Sequence, residues 1–429
     1  MRHLYAKFSP GIFIAFFFIF IVLSLALPPT TRAGTPTAKE FFDHGMAHLQ
    51  AKQFEQAIAE FSRSIAIEPT FADVYFNRGK AYYELEQYDK AIADFSQTIA
   101  LMPSSASVYY YRAFAYQELN QYELAVADYD KYIALRPTAE QAYNARGVAY
   151  TRLEKYDQAL ADFNKALAID PNLKFGYFNR GKVYYEINQY EQALADFDHA
   201  ISLFNPKYAP VYISRAITHF KLHHYELALA DYDQAIALNP SNAYYYLKRG
   251  TAYADLNQYE KAIADYNRAI ELRPQYVIAH YNRGIAFARL KQYEQALADY
   301  DRVIAINPQF ADAYSSSGVA YAWLKQYEQA VNYYNKALIL NPNSAMTYYN
   351  RGHAFYCLMR YEQAIKDCNS AIAIDPGYAD AYFIKGFALG ELGNVQDSLS
   401  VLRQYLQIGA DPEKIQLAHE IIQKLEEKP

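Results

Sequence analysis

The chain has 429 residues, a formal charge of −5 from 41 basic and 46 acidic side chains, and two cysteines. Opposite charges are interspersed and no basic stripe stands out, which argues against a nucleic-acid partner. Two cysteines exclude a disulfide framework.

Arg2 and Lys7 precede an unbroken apolar run of 16 residues, Ile12 to Leu27. A membrane span needs about 17 or more, and a signal-peptide core is somewhat shorter. Pro28-Pro29 stops any helix that enters it. Thr31-Arg32-Ala33 then offers small residues at the spacing a signal peptidase reads. Residues 1–33 are therefore predicted to be a signal peptide cleaved near Ala33 or an uncleaved membrane anchor, with a short linker at 34–37. In both cases the cationic flank stays in the cytoplasm. The remainder lies outside it, periplasmic or extracellular, free or tethered.

From Ala38 the sequence repeats every 34 residues, eleven times, to Pro412. Val74-Tyr75-Phe76-Asn77-Arg78-Gly79-Lys80 returns as Gly176-Tyr177-Phe178-Asn179-Arg180-Gly181-Lys182. Counting Ala38 as position 1, position 8 is glycine or alanine throughout, and position 20 is alanine in ten copies and Ser398 in the last. Two facing small residues let two helices approach closely. Position 32 is proline in nine copies, which ends a helix. Tyr75, Gly79 and Tyr82 share one helical face, and Ala91, Phe95 and Thr98 share another. Each unit is predicted to be a helix, a tight turn near position 15 and an antiparallel second helix. Stacked units bury a common core and present surfaces. Residues 413–429 read as a capping helix, with Ile415, Ala418, Ile422 and Leu425 on its apolar face.

These small, aromatic and alanine positions resemble the tetratricopeptide repeat family, with tyrosine where that family often has tryptophan at position 4. The resemblance implies an all-α solenoid, a right-handed superhelix whose first helices line a concave groove at positions 2, 5, 6, 9, 12 and 13. It also implies a scaffold that binds peptides or proteins and is not an enzyme, with no cofactor. A self-associating array is the alternative. The oligomeric state is not readable from the sequence.

Where the family usually has leucine at position 7, eight copies here carry arginine, and the same eight carry aspartate at position 23. The ninth copy loses both at once, with Ser317 and Tyr333. Joint loss predicts that the two positions touch within one repeat, as a structural ladder of forked pairs.

The candidate groove residues are Asn77, Lys80, Asn179, Lys182, Asn282, Asn350 and His353. Asparagine both donates and accepts, which suits a peptide backbone. Position 5 carries an aromatic stripe that includes Phe76, Phe178, Tyr281, Tyr349 and Phe383, readable as helix packing. The family subtype that clamps a terminal carboxylate uses lysine at position 5 and asparagine at position 9, and neither occurs here. Two places break the array. Phe204-Asn205-Pro206 adds one residue to the fifth copy, and Ser315-Ser316-Ser317 in the ninth stands near Trp323, the only tryptophan. Small residues beside an indole are compatible with a pocket with an aromatic wall, but plain drift of a tolerant repeat is the preferred reading. His44/His48 and His219/His223 have helical spacing for a metal but read better as substituted aromatics. Cys357 and Cys368 are predicted to be free and inert, and no metal site is expected.

Overall fold

The structure is a computed structural model that describes residues 36–204 and 207–427. The N-terminal apolar run and the Asn205-Pro206 insertion lie outside the described residues. Two compact units meet in sequence at Leu173 and Lys174, and each is described by itself.

The first unit holds four antiparallel hairpins. They are α1 (Ala38–Gln50) with α2 (Phe54–Ile67), and α3 (Ala72–Glu84) with α4 (Tyr88–Leu101). Then come α5 (Ala106–Glu118) with α6 (Tyr122–Leu135), and α7 (Glu140–Arg152) with α8 (Tyr156–Ile169).

The second unit begins with α9 (Lys174–Glu186) and α10 (Tyr190–Phe204), then α11 (Ala209–Lys221) and α12 (Tyr225–Leu238). It continues with α13 (Ala243–Asp255) and α14 (Tyr259–Leu272), α15 (Val277–Arg289) and α16 (Tyr293–Ile306), and α17 (Ala311–Trp323) and α18 (Tyr327–Leu340). It closes with α19 (Ala345–Cys357) and α20 (Tyr361–Ile374), α21 (Ala379–Glu391) and α22 (Val395–Ile408), and a last helix, α23 (Pro412–Glu426). No strand occurs among the described residues.

The turn inside every hairpin is made at position 15, where the backbone becomes left-handed. Ten of these residues are not glycine, from Lys52 at φ 57° to Met359 at φ 59°, and only the last copy uses a glycine, Gly393. The hydrogen bonds are those of a Schellman closure. Glu86 N–H donates to Tyr83 O and Gln87 N–H to Tyr82 O, both at 2.9 Å. The exit carbonyls of the first helix are thus satisfied before the second begins.

Inside a hairpin, alanine at position 20 is fully buried in ten copies, for example Ala91 and Ala262 at 0% exposure. The expected contact between small residues at positions 8 and 20 is only part of the packing. What fills the gap over position 8 is the ring at position 24: a Cβ on Gly79 would lie 2.7 Å from Phe95 Cε1. Where position 8 is Ala113 or Ala216, the buried rings of Tyr129 and Tyr232 still occupy that place. The repeat therefore tolerates one methyl there if the ring gives way.

First helices of neighbouring hairpins also touch one another, as α1 touches α3 and α15, α17 and α19 touch in series, so they form one layer within each unit. The last hairpin is covered by α23. Ala418, Ile422 and Leu425 are buried there, and Asp411 accepts from the N–H groups of Glu413 and Lys414 ahead of Pro412. Among the described residues no helix is long and apolar enough to cross a membrane.

Candidate functional site

The eight arginine–aspartate pairs form within their repeats as expected, and each is forked. Arg249 donates from Nε and Nη2 to the two carboxylate oxygens of Asp265 at 2.8 and 2.6 Å. The aspartates are about 95% buried. Arginine suits this place because its two parallel donors match both oxygens while its stem crosses apolar surface. The guanidinium also lies between aromatic rings from positions 4 and 11, as Arg78 does 5.6 Å from Tyr75 and 5.9 Å from Tyr82. Its bond to Asp265 is the main reason Arg249 is held well above the usual arginine range. The abundant tyrosines are thus walls of the ladder as well as core.

Sequence reasoning missed the third donor. In seven of the eight pairs Nη1 leaves the repeat and bonds position 25 of the hairpin before it within the same unit, as in Arg112 to Ser96 at 2.9 Å and Arg215 to Asp198 at 2.6 Å. The signal was present: position 25 is always short and polar from Ser62 to Asn369. The first copy keeps a worn version, with His44 Nδ1 4.0 Å from Glu60 Oε2. In the eighth copy His280 replaces tyrosine at position 4 and still bonds the carbonyl of Pro274, as Tyr246 bonds Pro240.

The candidate groove residues fall in both units, Asn77 and Lys80 in the first and the others in the second. Asn77 is buried and its amide donates to the Asp73 carbonyl at 2.8 Å, a bond within its own helix. Asn282 reaches Thr251 Oγ1 at 3.5 Å. Lys80 lies over Phe76 and Tyr111, and Lys182 over Phe178. Asn179 is half-buried beside them in sequence, on α9. The aromatic stripe at position 5 packs between helices: Phe178 and Phe383 are each 8% exposed. Lys182 also edges a small cavity of about 230 Å³ with Tyr185, Ser214 and Tyr244.

Three of the expected residues do come together, in the eighth to tenth copies. Two open cavities lie side by side along α15, α17 and α19 and share Val319 and Trp323. The first, about 350 Å³, is lined by Ile285, Arg289, Tyr293, Tyr300 and Ser316. The second, about 340 Å³, is lined by Lys325, Tyr327, Tyr334, Tyr349, Asn350 and His353. Trp323 is 66% exposed and lies parallel to Tyr293, with ring centroids 6.1 Å apart.

The serine triplet has a clear role in this opening. Ser315 is buried and bonded to Thr347 Oγ1 at 3.1 Å, where seven other copies place a ring. Ser316 contributes a small wall to the first cavity where four other copies carry asparagine. Burial, reinforced by the Lys414 charge, holds the His353 imidazole below its usual value. A neutral ring faces the second cavity. The Asn350 amide makes no hydrogen bond among the described residues, so it is open to an incoming backbone.

The histidine pairs do not make metal sites. His223 lies beyond the end of α11 in the left-handed turn at φ 60°, so it shares no helical face with His219. His219 takes tyrosine's place at position 11 and is half-buried. No group of three or more candidate ligands could hold a metal among the described residues. Cys357 and Cys368 are free. Burial pushes both thiols up, Cys368 to about 12, which keeps them protonated and poorly nucleophilic.

Within each unit, helical hairpins packed side by side in one repeated scheme are the fold of a scaffold in class. Family models described as tetratricopeptide repeat match residues 140–173, 175–206, 209–242, 231–264, 277–310, 311–344 and 345–378, with another match at 106–138. A model described as TPR repeat matches 45–86, 79–120 and 250–291. The chain belongs to the tetratricopeptide repeat family, whose members are generally non-enzymatic scaffolds.

Among solved structures it is similar to yeast Tom70, at 14% identity over 91% of this chain and 95% of that one, with a TM-score of 0.40. It is also similar to a tetratricopeptide repeat protein from Parabacteroides merdae, at 20% identity over 59% and 97%, TM-score 0.48. A third likeness is YrrB, described as a repeat protein with an unusual peptide-binding site, at 23% identity over 44% and 97%, TM-score 0.39. No curated protein sequence matches.

Proposed function

We propose that this protein is a scaffold that binds a peptide segment of a partner protein in the twin cleft around Trp323. The observation that carries the reading is the exposed indole, stacked on Tyr293 and shared by two cavities. An exposed tryptophan at the centre of an apolar cleft is the kind of anchor on which binding energy concentrates. The unused amide of Asn350 beside it suits the backbone of an extended chain. The repeats act outside the cytoplasm, carried there by the segment from Arg2 to Ala33, where an envelope assembly or secretion complex is the expected setting.

Panning a random dodecapeptide phage library on the exported chain tests the cleft. Peptides selected on the native protein are expected to lose at least about tenfold in affinity for Trp323→Ala/Asn350→Ala, worth roughly 1.4 kcal/mol. Peptides that bind both forms alike would place recognition elsewhere. Light scattering of the purified chain addresses self-association, since a dilute monomer removes that alternative. Fractionation of cells carrying a C-terminal tag tests the location, and cytoplasmic recovery would refute export.

A further inference from the structure

We infer that the partner segment is acidic and apolar: large side chains three residues apart fill the two cavities, and flanking carboxylates meet Arg289 and Lys325. The inference rests on the cleft proposed above and names its ligand class.

The charge argument begins with what lines the cleft. Its charged side chains are Arg289 in the first cavity and Lys325 in the second, and no carboxylate lines either. Both cations are exposed, and neither makes an ion pair among the described residues, whereas eight other arginines are forked onto aspartates. Position 13 adds a second observation. It is acidic in five copies, at Glu84, Glu118, Glu186, Asp255 and Glu391. In the three copies that build the cleft it is Arg289, Trp323 and Cys357. Gln50, Arg152 and Lys221 also lack the acid, each between acidic copies or at the start of the array, and only in the three cleft copies is it missing from consecutive repeats. Asp312 is the exposed carboxylate of α17, but it sits eleven residues before Trp323, roughly 16 Å along the helix at ~1.5 Å per residue.

Spacing sets the apolar part. The two cavities lie between successive first helices, and packed helices stand roughly 8–10 Å apart. An extended chain with three residues per turn and ~3.1 Å rise returns to the same face after roughly 9 Å. Residues i and i+3 of such a segment therefore reach both cavities at once. The aromatic walls, Tyr293, Tyr300, Trp323, Tyr334 and Tyr349, favour rings or large aliphatic groups.

The test uses the full chain and its single tryptophan as the reporter. Three synthetic peptides are titrated: one with two phenylalanines three residues apart between glutamates, the same peptide with lysine flanks, and a glutamate-flanked peptide with alanines for the rings. The first is expected to shift Trp323 emission and to bind at least about tenfold tighter than the other two, with affinity falling as salt rises. Arg289→Glu/Lys325→Glu, two exposed changes, should reverse the preference toward the lysine-flanked peptide. If the glutamate and lysine peptides bind alike, or the reversal fails, the acidic ligand class is wrong while the cleft stands. If the alanine peptide binds as well as the first, the apolar half of the inference falls. If no peptide alters the emission, both this inference and the proposed cleft fail.

Discussion

Arg283 reaches backwards across a hairpin boundary. Its Nη1 donates to Asn267 Oδ1 in the preceding repeat at 2.6 Å, while Nε and Nη2 hold Asp299 of its own repeat at 2.8 and 2.6 Å. One guanidinium thus joins the two helices of a hairpin and ties that hairpin to its neighbour. Repeat arrays draw their stability from such intrinsic and neighbour terms together. Here a single side chain contributes to both.

Removing one partner of this ladder should leave the other charge without its buried counter-ion. Asp265→Ala is expected to cost ~1.5–3 kcal/mol locally, because Arg249 loses both oxygens of its buried partner and keeps only the exposed Asp233. Replacing both residues by leucine, the residue the family favours at position 7, should recover most of that loss. Hydrogen exchange resolved to α13 and α14 measures both, since a long array need not unfold in one step. Equal protection in the single and double variants would refute the pairing account.

The ninth hairpin lacks the arginine, and its neighbour contact is made differently. Tyr333 Oη donates to Asp301 Oδ1 at 3.2 Å, and Ser317 turns its hydroxyl to the Ala313 carbonyl at 2.8 Å. Ser317→Arg/Tyr333→Asp should rebuild the forked pair and its bond to Asp301, raising exchange protection in α17 and α18. Ser317→Arg alone should lower it, because the new charge enters a fully buried position with no carboxylate from its own repeat.

The left-handed turns offer an independent gain. Met359 holds φ 59° and is 76% exposed, so it contributes strain and little packing. A left-handed conformation costs a non-glycine residue ~1–2 kcal/mol, and glycine returns part of that in unfolded-state entropy. Met359→Gly is expected to stabilise the tenth hairpin by roughly 0.5–1 kcal/mol, seen as slower exchange in α19 and α20.

Acid should weaken the fold through His219 and His353. Burial is the main cause that lowers both imidazoles below their ordinary value. Arg215 and His224 add to the effect at His219, against Asp198 and Asp231, and Lys414 adds to it at His353. Above about pH 6.5 both states are neutral and full stability is present. As pH falls through that value the unfolded chain takes up the proton first, so stability is lost. His353→Gln should flatten the fall in denaturation midpoint between about pH 7 and pH 5. An unchanged slope would show that His353 does not contribute.

How much was legible before the structure varies with the kind of interaction. Hairpin boundaries were readable because the period places proline, glycine and alanine at fixed intervals, each with its own backbone or packing demand. The pairing of position 7 with position 23 was readable because Ser317 and Tyr333 depart together. Asn77 has a residue type that suits a peptide, but only the fold shows that its amide nitrogen is used on the Asp73 carbonyl. Arg289 and Lys325 were passed over because isolated surface cations look alike in sequence.

The sequence by itself determined the unit, its helices, its turn and the ladder inside each hairpin, because these depend on contacts repeated at a constant separation along the chain. Only the tertiary structure decided which hairpin ties to which through Nη1, and where two neighbouring clefts open around Trp323. Those features arise where side chains from different copies meet. There, one copy's departure from the repeat acts through the shape of the next.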